Sequence, residues 1–216
     1  DKFPKLSNDI LLNNLSLPSG RNKMILDTDT ANEIDDQFAL AWTLLSEDKI
    51  DLLGVTAEPY SFEHHKEELF EAYDIITKNK KIDVSNQELV SDYSNWVNGL
   101  IDSKIHPKEI YFDTPKEGVE KSYQEIINVY KKLDKNYEGK VFRGSSKYLE
   151  NLDEPLDTES SQFIIDMCLK YPNEKIYVCA IGCLTNIASA LLMKPEIIKN
   201  MVVVWTAGFP TFSFNH

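Results

Sequence analysis

The sequence predicts a layered α/β fold in which a mostly parallel sheet carries helices on both faces. Three observations lead there. Short apolar runs recur at residues 24–26, 50–57, 175–180 and 201–205, each of strand length and bounded by polar or turn residues. The segments between them carry apolar residues at helical spacing. Strands that alternate with helices in this way join as βαβ units, with right-handed crossovers and parallel strands.

Taken in order, residues 1–22 mix Ile10, Leu11, Leu12, Leu15 and Leu17 with polar residues and end in Pro18-Ser19-Gly20. They read as a short helix and turn packing outside the first strand. Met24-Ile25-Leu26 is that strand, buried because it is apolar without alternation. A helix opens at Asp35-Asp36 and continues through Phe38, Leu40, Ala41, Trp42, Leu44 and Leu45. Its acids lie in the first turn, where the helix dipole favours them. Residues 50–57 form the second strand and close a βαβ unit.

Residues 63–115 break the alternation. Leu69, Tyr73 and Ile76 make one helical face, and Leu89, Tyr93, Trp96, Val97 and Leu100 make a second. The segment therefore reads as a helical insertion. It leaves from the C-terminal end of a strand, the side on which open parallel sheets bind ligands, so a lid and a merely packing hairpin both fit. His64 and His65 read as solvated helix-start residues. A helix follows from Gly118 to Leu133, then a short strand at 140–142 and a helix at 158–170 with Thr158 as its cap. Lys175–Ala180 is a strand, 181–184 a turn, 185–192 a helix, and Met201–Trp205 the last strand.

At 216 residues the chain can build one domain with a proper core. A net charge of −12 argues against nucleic-acid binding, which needs basic residues to displace counterions. No apolar run reaches the length of a membrane span. Cys168, Cys179 and Cys183 lack metal-type spacing and sit in apolar patterns, so they read as buried free thiols in a reducing, cytoplasmic setting. The start, Asp1-Lys2-Phe3-Pro4, lacks Met and any secretory core, which points to processing, trimming or a missing beginning.

The chemistry concentrates in residues 24–41. The first strand delivers Asp27 and Asp29, and the following helix begins with Asp35 and Asp36. Four carboxylates so placed repel one another unless a cation joins them, and an all-oxygen set suits calcium or magnesium. A purely structural reading, with acids solvated at a strand end and a helix start, stays open. An EF-hand loop does not fit: counted from Asp27, its fifth and sixth places hold Ala31 and Asn32 where Asp or Asn and then Gly are required. An Asp-x-Asp phosphatase would place a threonine two residues after Asp29, where Ala31 stands.

This stretch, Asp27-Thr28-Asp29-Thr30-Ala31-Asn32-Glu33-Ile34-Asp35-Asp36-Gln37-Phe38-Ala39-Leu40-Ala41, resembles the signature of the inosine–uridine nucleoside hydrolase family, in a bacterial branch. Ala180-Ile181-Gly182-Cys183-Leu184-Thr185-Asn186-Ile187-Ala188 resembles the family's second signature. The resemblance implies a calcium-dependent N-ribohydrolase that converts small ribonucleosides to ribose and free base. It implies Asp29 as general base and calcium ligand, Asp36 as a further ligand and Ile181 as a carbonyl ligand. Asp35 and Asn215 would bind the ribose, and Asp27 would support the cluster. Two departures stand out: Ala57-Glu58-Pro59 replaces the family's Gly-Asn pair, and no leaving-group acid matches a motif. Family members also continue past this point with a ribose-holding Glu-Phe-Asn stretch and a last calcium-binding aspartate. The expectation is one C-terminally incomplete domain, 1–216, with the insertion at about 63–115. A homo-oligomer is compatible with it. A catalytically inactive calcium- or ribosyl-binding relative and the phosphatase are the competing readings.

Overall fold

The computed structural model describes residues 3–206. In chain order the elements are α1 (Asn8–Asn14), β1 (Asn22–Thr28), α2 (Ile34–Leu45), β2 (Ile50–Ala57), α3 (Lys66–Thr77), α4 (Gln87–Ser103), α5 (Pro115–Lys132), β3 (Val141–Phe142), α6 (Glu159–Lys170), β4 (Ile176–Ala180), α7 (Thr185–Met193) and β5 (Met201–Trp205). The strands make one sheet in the order β3-β2-β1-β4-β5, and every pair is parallel. Chain order runs outward from β1 through β2 to β3, then jumps back to β4 on the other side. The gap between the C-terminal ends of β1 and β4 is therefore the topological switch point, where open α/β sheets bind ligands.

The alternation of side chains along β1 builds two cores. Leu26 faces Leu40 and Leu44 of α2 and Ile126 of α5, while Ile25 faces Ile164 of α6 and Ile187 of α7. Ile25, Leu40, Ile126 and Ile164 are fully buried, each stabilising the fold by about 1.5–3 kcal/mol. Helices thus cover both faces of a parallel sheet, as the sequence predicts. All three cysteines are free thiols. Among the described residues no helix is long and apolar enough to cross a membrane.

Local chemistry explains the element ends. Thr158 caps α6 reciprocally: its Oγ1 accepts from the Ser161 N–H at 3.1 Å, and Ser161 Oγ accepts from the Thr158 N–H at 2.9 Å. The α5 helix begins at Pro115, three residues before the predicted Gly118, because proline suits the first helical position. The short α1 does not lie outside β1 as expected. Asn14 Nδ2 donates to the Lys199 carbonyl at 3.0 Å and Lys175 Nζ to Ser16 Oγ at 3.0 Å, which ties α1 to the segments entering β4 and β5.

Residues 61–114 form a compact unit of their own. The described elements there are α3, α4 and single 3-10 turns at Glu63–His65 and Pro107–Glu109. Leu69, Ala72, Tyr93, Val97, Leu100 and Phe112 make its core. His65 is half-buried, with its Nδ1 2.7 Å from Tyr93 Oη and its ring edge-on to Trp96. It is a packing residue rather than a solvated one, and burial lowers its pKa.

Candidate active site

Asp27 is the last-but-one residue of β1 and is in register with Thr56 on β2 and Ala180 on β4. Strand alternation sends Asp27, Thr56 and Glu58 to the α7 side, and Thr28 to the α2 side. Two carboxylate systems result, one on each face of the same strand end.

On the α7 side, Asp27 is fully enclosed. Its Oδ1 accepts from Thr56 Oγ1 at 2.5 Å and from Asn186 Nδ2 at 3.0 Å. Asn186 Nδ2 also donates to the Ala57 carbonyl at 3.0 Å. Glu58 is equally enclosed and closes the N-terminus of α7: its Oε1 accepts the Asn186 N–H at 2.8 Å and its Oε2 the Cys183 thiol at 3.1 Å. Burial raises the Asp27 pKa to about 6, against the lowering effect of hydrogen bonds from Glu58, Asn186 and Thr56. Burial, and then the charge of Asp27, push Glu58 well above the usual carboxylate range. Asp27 Oδ2 has no ordinary donor among the described residues. Burial and the charge of Asp27 together favour the protonated form of Glu58 beside it. Gly144 is required beside this cluster, since a Cβ there would lie 2.1 Å from the Ala57 carbonyl oxygen and 2.7 Å from Asn186 Oδ1.

On the α2 side, Asp29 and Asp36 are buried with their carboxyl groups in hydrogen-bonding contact. Thr28 Oγ1, 2.8 Å from Thr30 Oγ1, donates to Asp36 Oδ1 at 2.8 Å. Asn32 donates twice to Asp29, from its N–H to the carbonyl at 2.7 Å and from Nδ2 to Oδ2 at 3.1 Å, folding the turn back onto the strand end. Burial, and after it the charge of Asp29, raise Asp36 to about 7 despite the Thr28 bond; Asp29 is also raised, chiefly by burial. Gly182, just past β4, abuts this pair: a Cβ there would sit 3.2 Å from Asp29 Cγ and Oδ1. The Ile181 N–H donates to the Asp27 carbonyl at 2.9 Å, which carries the β1–β4 ladder one residue beyond β4.

Of the residues singled out from sequence, Asp27, Asp29, Asp36 and the backbone of Ile181 come together. Asp35 stands on the exposed side of the first turn of α2, so of the four predicted acids three are buried, Asp29 with Asp36 on one face of the strand end and Asp27 on the other. Asn215 lies outside the described residues. Asp27 has no face open to a phosphate ester, and the Asp-x-Asp phosphatase reading is dropped for that reason.

A family model described as inosine-uridine preferring nucleoside hydrolase matches residues 24–210. The chain belongs to this family. No curated protein matches it significantly. The match begins at β1 and takes in both halves of the switch point, the Asp27–Asp36 stretch and the Ala180–Ala188 stretch.

Members of this family act on nucleosides as N-ribohydrolases and usually need a metal. The Asp29–Asp36 pair suits a hard cation in kind: it offers only oxygen, and two buried carboxylates in contact need a shared proton or a positive charge between them. In number it is partial. Among the described residues no group of three or more His, Cys, Asp or Glu side chains is arranged to hold a metal.

Sequence reasoning passes over Glu58 and Asn186 as site residues, along with Thr28, Asn32 and Thr56. Glu58, one residue past β2, shares the two-residue period of Thr56, which places both on the same side. That period is readable in the sequence; the register setting them beside Asp27 is not.

Proposed function

We propose that the chain hydrolyses the N-glycosidic bond of a ribonucleoside to ribose and free base, with Asp29 as general base. The observation that carries this reading is a buried carboxylate pair at the β1–β4 switch point of a family member. Water attacks the anomeric carbon as the bond to the base nitrogen breaks, through an oxocarbenium-like transition state. Asp29 takes the water's proton, and the departing base keeps the bonding electrons and is protonated in turn. A carboxylate whose pKa burial raises is a stronger base for that proton transfer.

Calcium is the inferred cofactor, held by the carboxylates of Asp29 and Asp36 and the carbonyl of Ile181. When bound it supplies positive charge against the carboxylates and acidifies and orients a water. Asp35, on the exposed turn beside the pair, is assigned a ribose hydroxyl, and Asn215 the 5′-hydroxyl. Asp27 and Glu58 brace the strand end. An open cleft of about 590 Å³ lined by Ala31, Tyr60, Glu117, Glu120, Lys121 and Gln124 adjoins the Asp29–Asp36 turn. Its volume suits a nucleoside, and acids, an amide and a lysine stand around it.

The test is release of free base from inosine and uridine, with and without chelator. Activity that Asp29→Asn abolishes, and that calcium restores after chelation, supports the reading. Base release unaffected by Asp29→Asn would refute the assignment of the general base.

A further inference from the structure

The turn that joins Asp29 to Asp36 holds a polar atom for which the fold supplies no partner. Asn32 lies between the two acids in sequence. Its N–H donates to the Asp29 carbonyl at 2.7 Å, which folds the turn back and brings the side chain onto Asp29. Its Nδ2 donates to Asp29 Oδ2 at 3.1 Å. Its Oδ1 is enclosed and has no hydrogen-bond partner among the described residues. Burying a carbonyl oxygen unpaired costs free energy, and a side chain that served Asp29 only as a donor would gain nothing for it. Beside two carboxylates in contact, the partner such an oxygen lacks can be a cation.

Resting on the calcium reading above, we propose that Asn32 is a further ligand of that cation, through Oδ1. Three features favour it. The Asp29–Asp36 pair is short of oxygens, since calcium takes about six to eight and asparagine carbonyls are among its usual donors. The two carboxylates already balance a divalent charge, so a neutral oxygen extends the shell without overcharging it. Half a turn about the Cβ–Cγ bond exchanges the two ends of the amide and brings Oδ1 to the place, 3.1 Å from Asp29 Oδ2, that Nδ2 holds. Two oxygens so placed repel each other without a cation and are drawn to one that lies between them. The amide therefore donates to Asp29 in the metal-free protein and ligates in the metal-bound one.

Calorimetric titration of the intact chain with Ca²⁺ tests this without reference to turnover, beside Tb³⁺ luminescence lifetimes in H₂O and D₂O, which count metal-bound waters. Asn32→Ala and Asn32→Leu should each weaken Ca²⁺ binding by about tenfold or more, and the Tb³⁺ form of each should hold about one more water than wild type. Asn32→Asp keeps an oxygen and loses the donor, so it should bind Ca²⁺ at least as tightly as wild type. Circular dichroism should stay native in all three, because the backbone bond from residue 32 to the Asp29 carbonyl does not depend on the side chain. Weakened binding in Asn32→Asp, like that in Asn32→Ala, would overturn the proposal, because it would make Asn32 a donor that positions Asp29. Unchanged affinity in Asn32→Ala, or an unchanged water count, would overturn it as well. Wild-type protein that binds neither ion would refute the calcium reading itself, and the proposal with it.

Discussion

The two carboxylate systems at the end of β1 are built from the same residue types and differ in how completely they are satisfied. On the α7 side Asp27 and Glu58 receive a threonine hydroxyl, an asparagine amide, a backbone N–H and a thiol, and Gly144 packs directly on the asparagine. On the α2 side Asp29 and Asp36 receive one threonine hydroxyl and one asparagine amide between their carboxyl groups, and they stand against each other. The first arrangement resembles a capped helix end and is closed. The second is left electrostatically short, which is the condition under which a buried carboxylate can hold a cation or accept a proton. The contrast is between a satisfied and an unsatisfied carboxylate pair built from groups that look alike in sequence.

The largest effect that would sharpen this contrast is on catalysis. Asp29→Asn should reduce base release by roughly 10²–10⁴-fold, while the melting temperature holds or rises because one of two repelling acids is gone. Steady-state kinetics beside calorimetry checks both halves. A collapse in stability without loss of turnover would break the comparison.

Next comes the bracing side. Glu58→Ala strips the Asn186 N–H and the Cys183 thiol of their acceptor and leaves a hole at the start of α7, so it should destabilise the fold by about 2–4 kcal/mol. Glu58→Gln should stay within about 1 kcal/mol, since a carboxyl that holds its proton in the fold is mimicked by an amide. Chemical denaturation distinguishes the two. Equal losses in both variants would mean that Glu58 is ionised in the native state.

A smaller effect is expected in pH dependence. Asp27 and Asp36 have folded pKa values raised to about 6 and about 7, above the ordinary carboxylate value. The native state then holds more protons than the unfolded chain between about pH 4 and pH 7, so stability falls as pH rises through that window. The loss should be at least on the order of 1 kcal/mol, or a few degrees in melting temperature. Calcium should flatten the slope at its Asp36 end and leave the contribution of Asp27. Metal-free protein that melts higher at pH 8 than at pH 5 would contradict this.

The smallest effect concerns Asp35, the acid outside both systems. Asp35→Ala should change stability by less than about 0.5 kcal/mol. If its carboxylate holds a ribose hydroxyl, the variant should raise KM for nucleosides and leave calcium affinity alone. An unchanged KM would remove Asp35 from the substrate site.

Much of this molecule is legible in its residues alone. Apolar runs, helical period and caps locate nearly every element, because each depends on neighbours within a few residues. The last strand, Met201–Trp205, has the predicted bounds, and Thr158 caps α6 as its residue type and position predict. The Asp27–Asp36 stretch marks a candidate site through residue type and spacing. What the sequence leaves open needs register and depth. Glu58 follows β2 as one more acid until pairing with β1 sets it beside Asp27 and against the start of α7. Asp35 and Asp36 are adjacent letters, yet a helix turns successive residues by about 100°, so one is buried against Asp29 and the other is exposed. Sequence by itself determined which groups this strand end carries. Only tertiary structure decided which are braced and which left in need of a charge, because that depends on distance across strands and on exclusion of water.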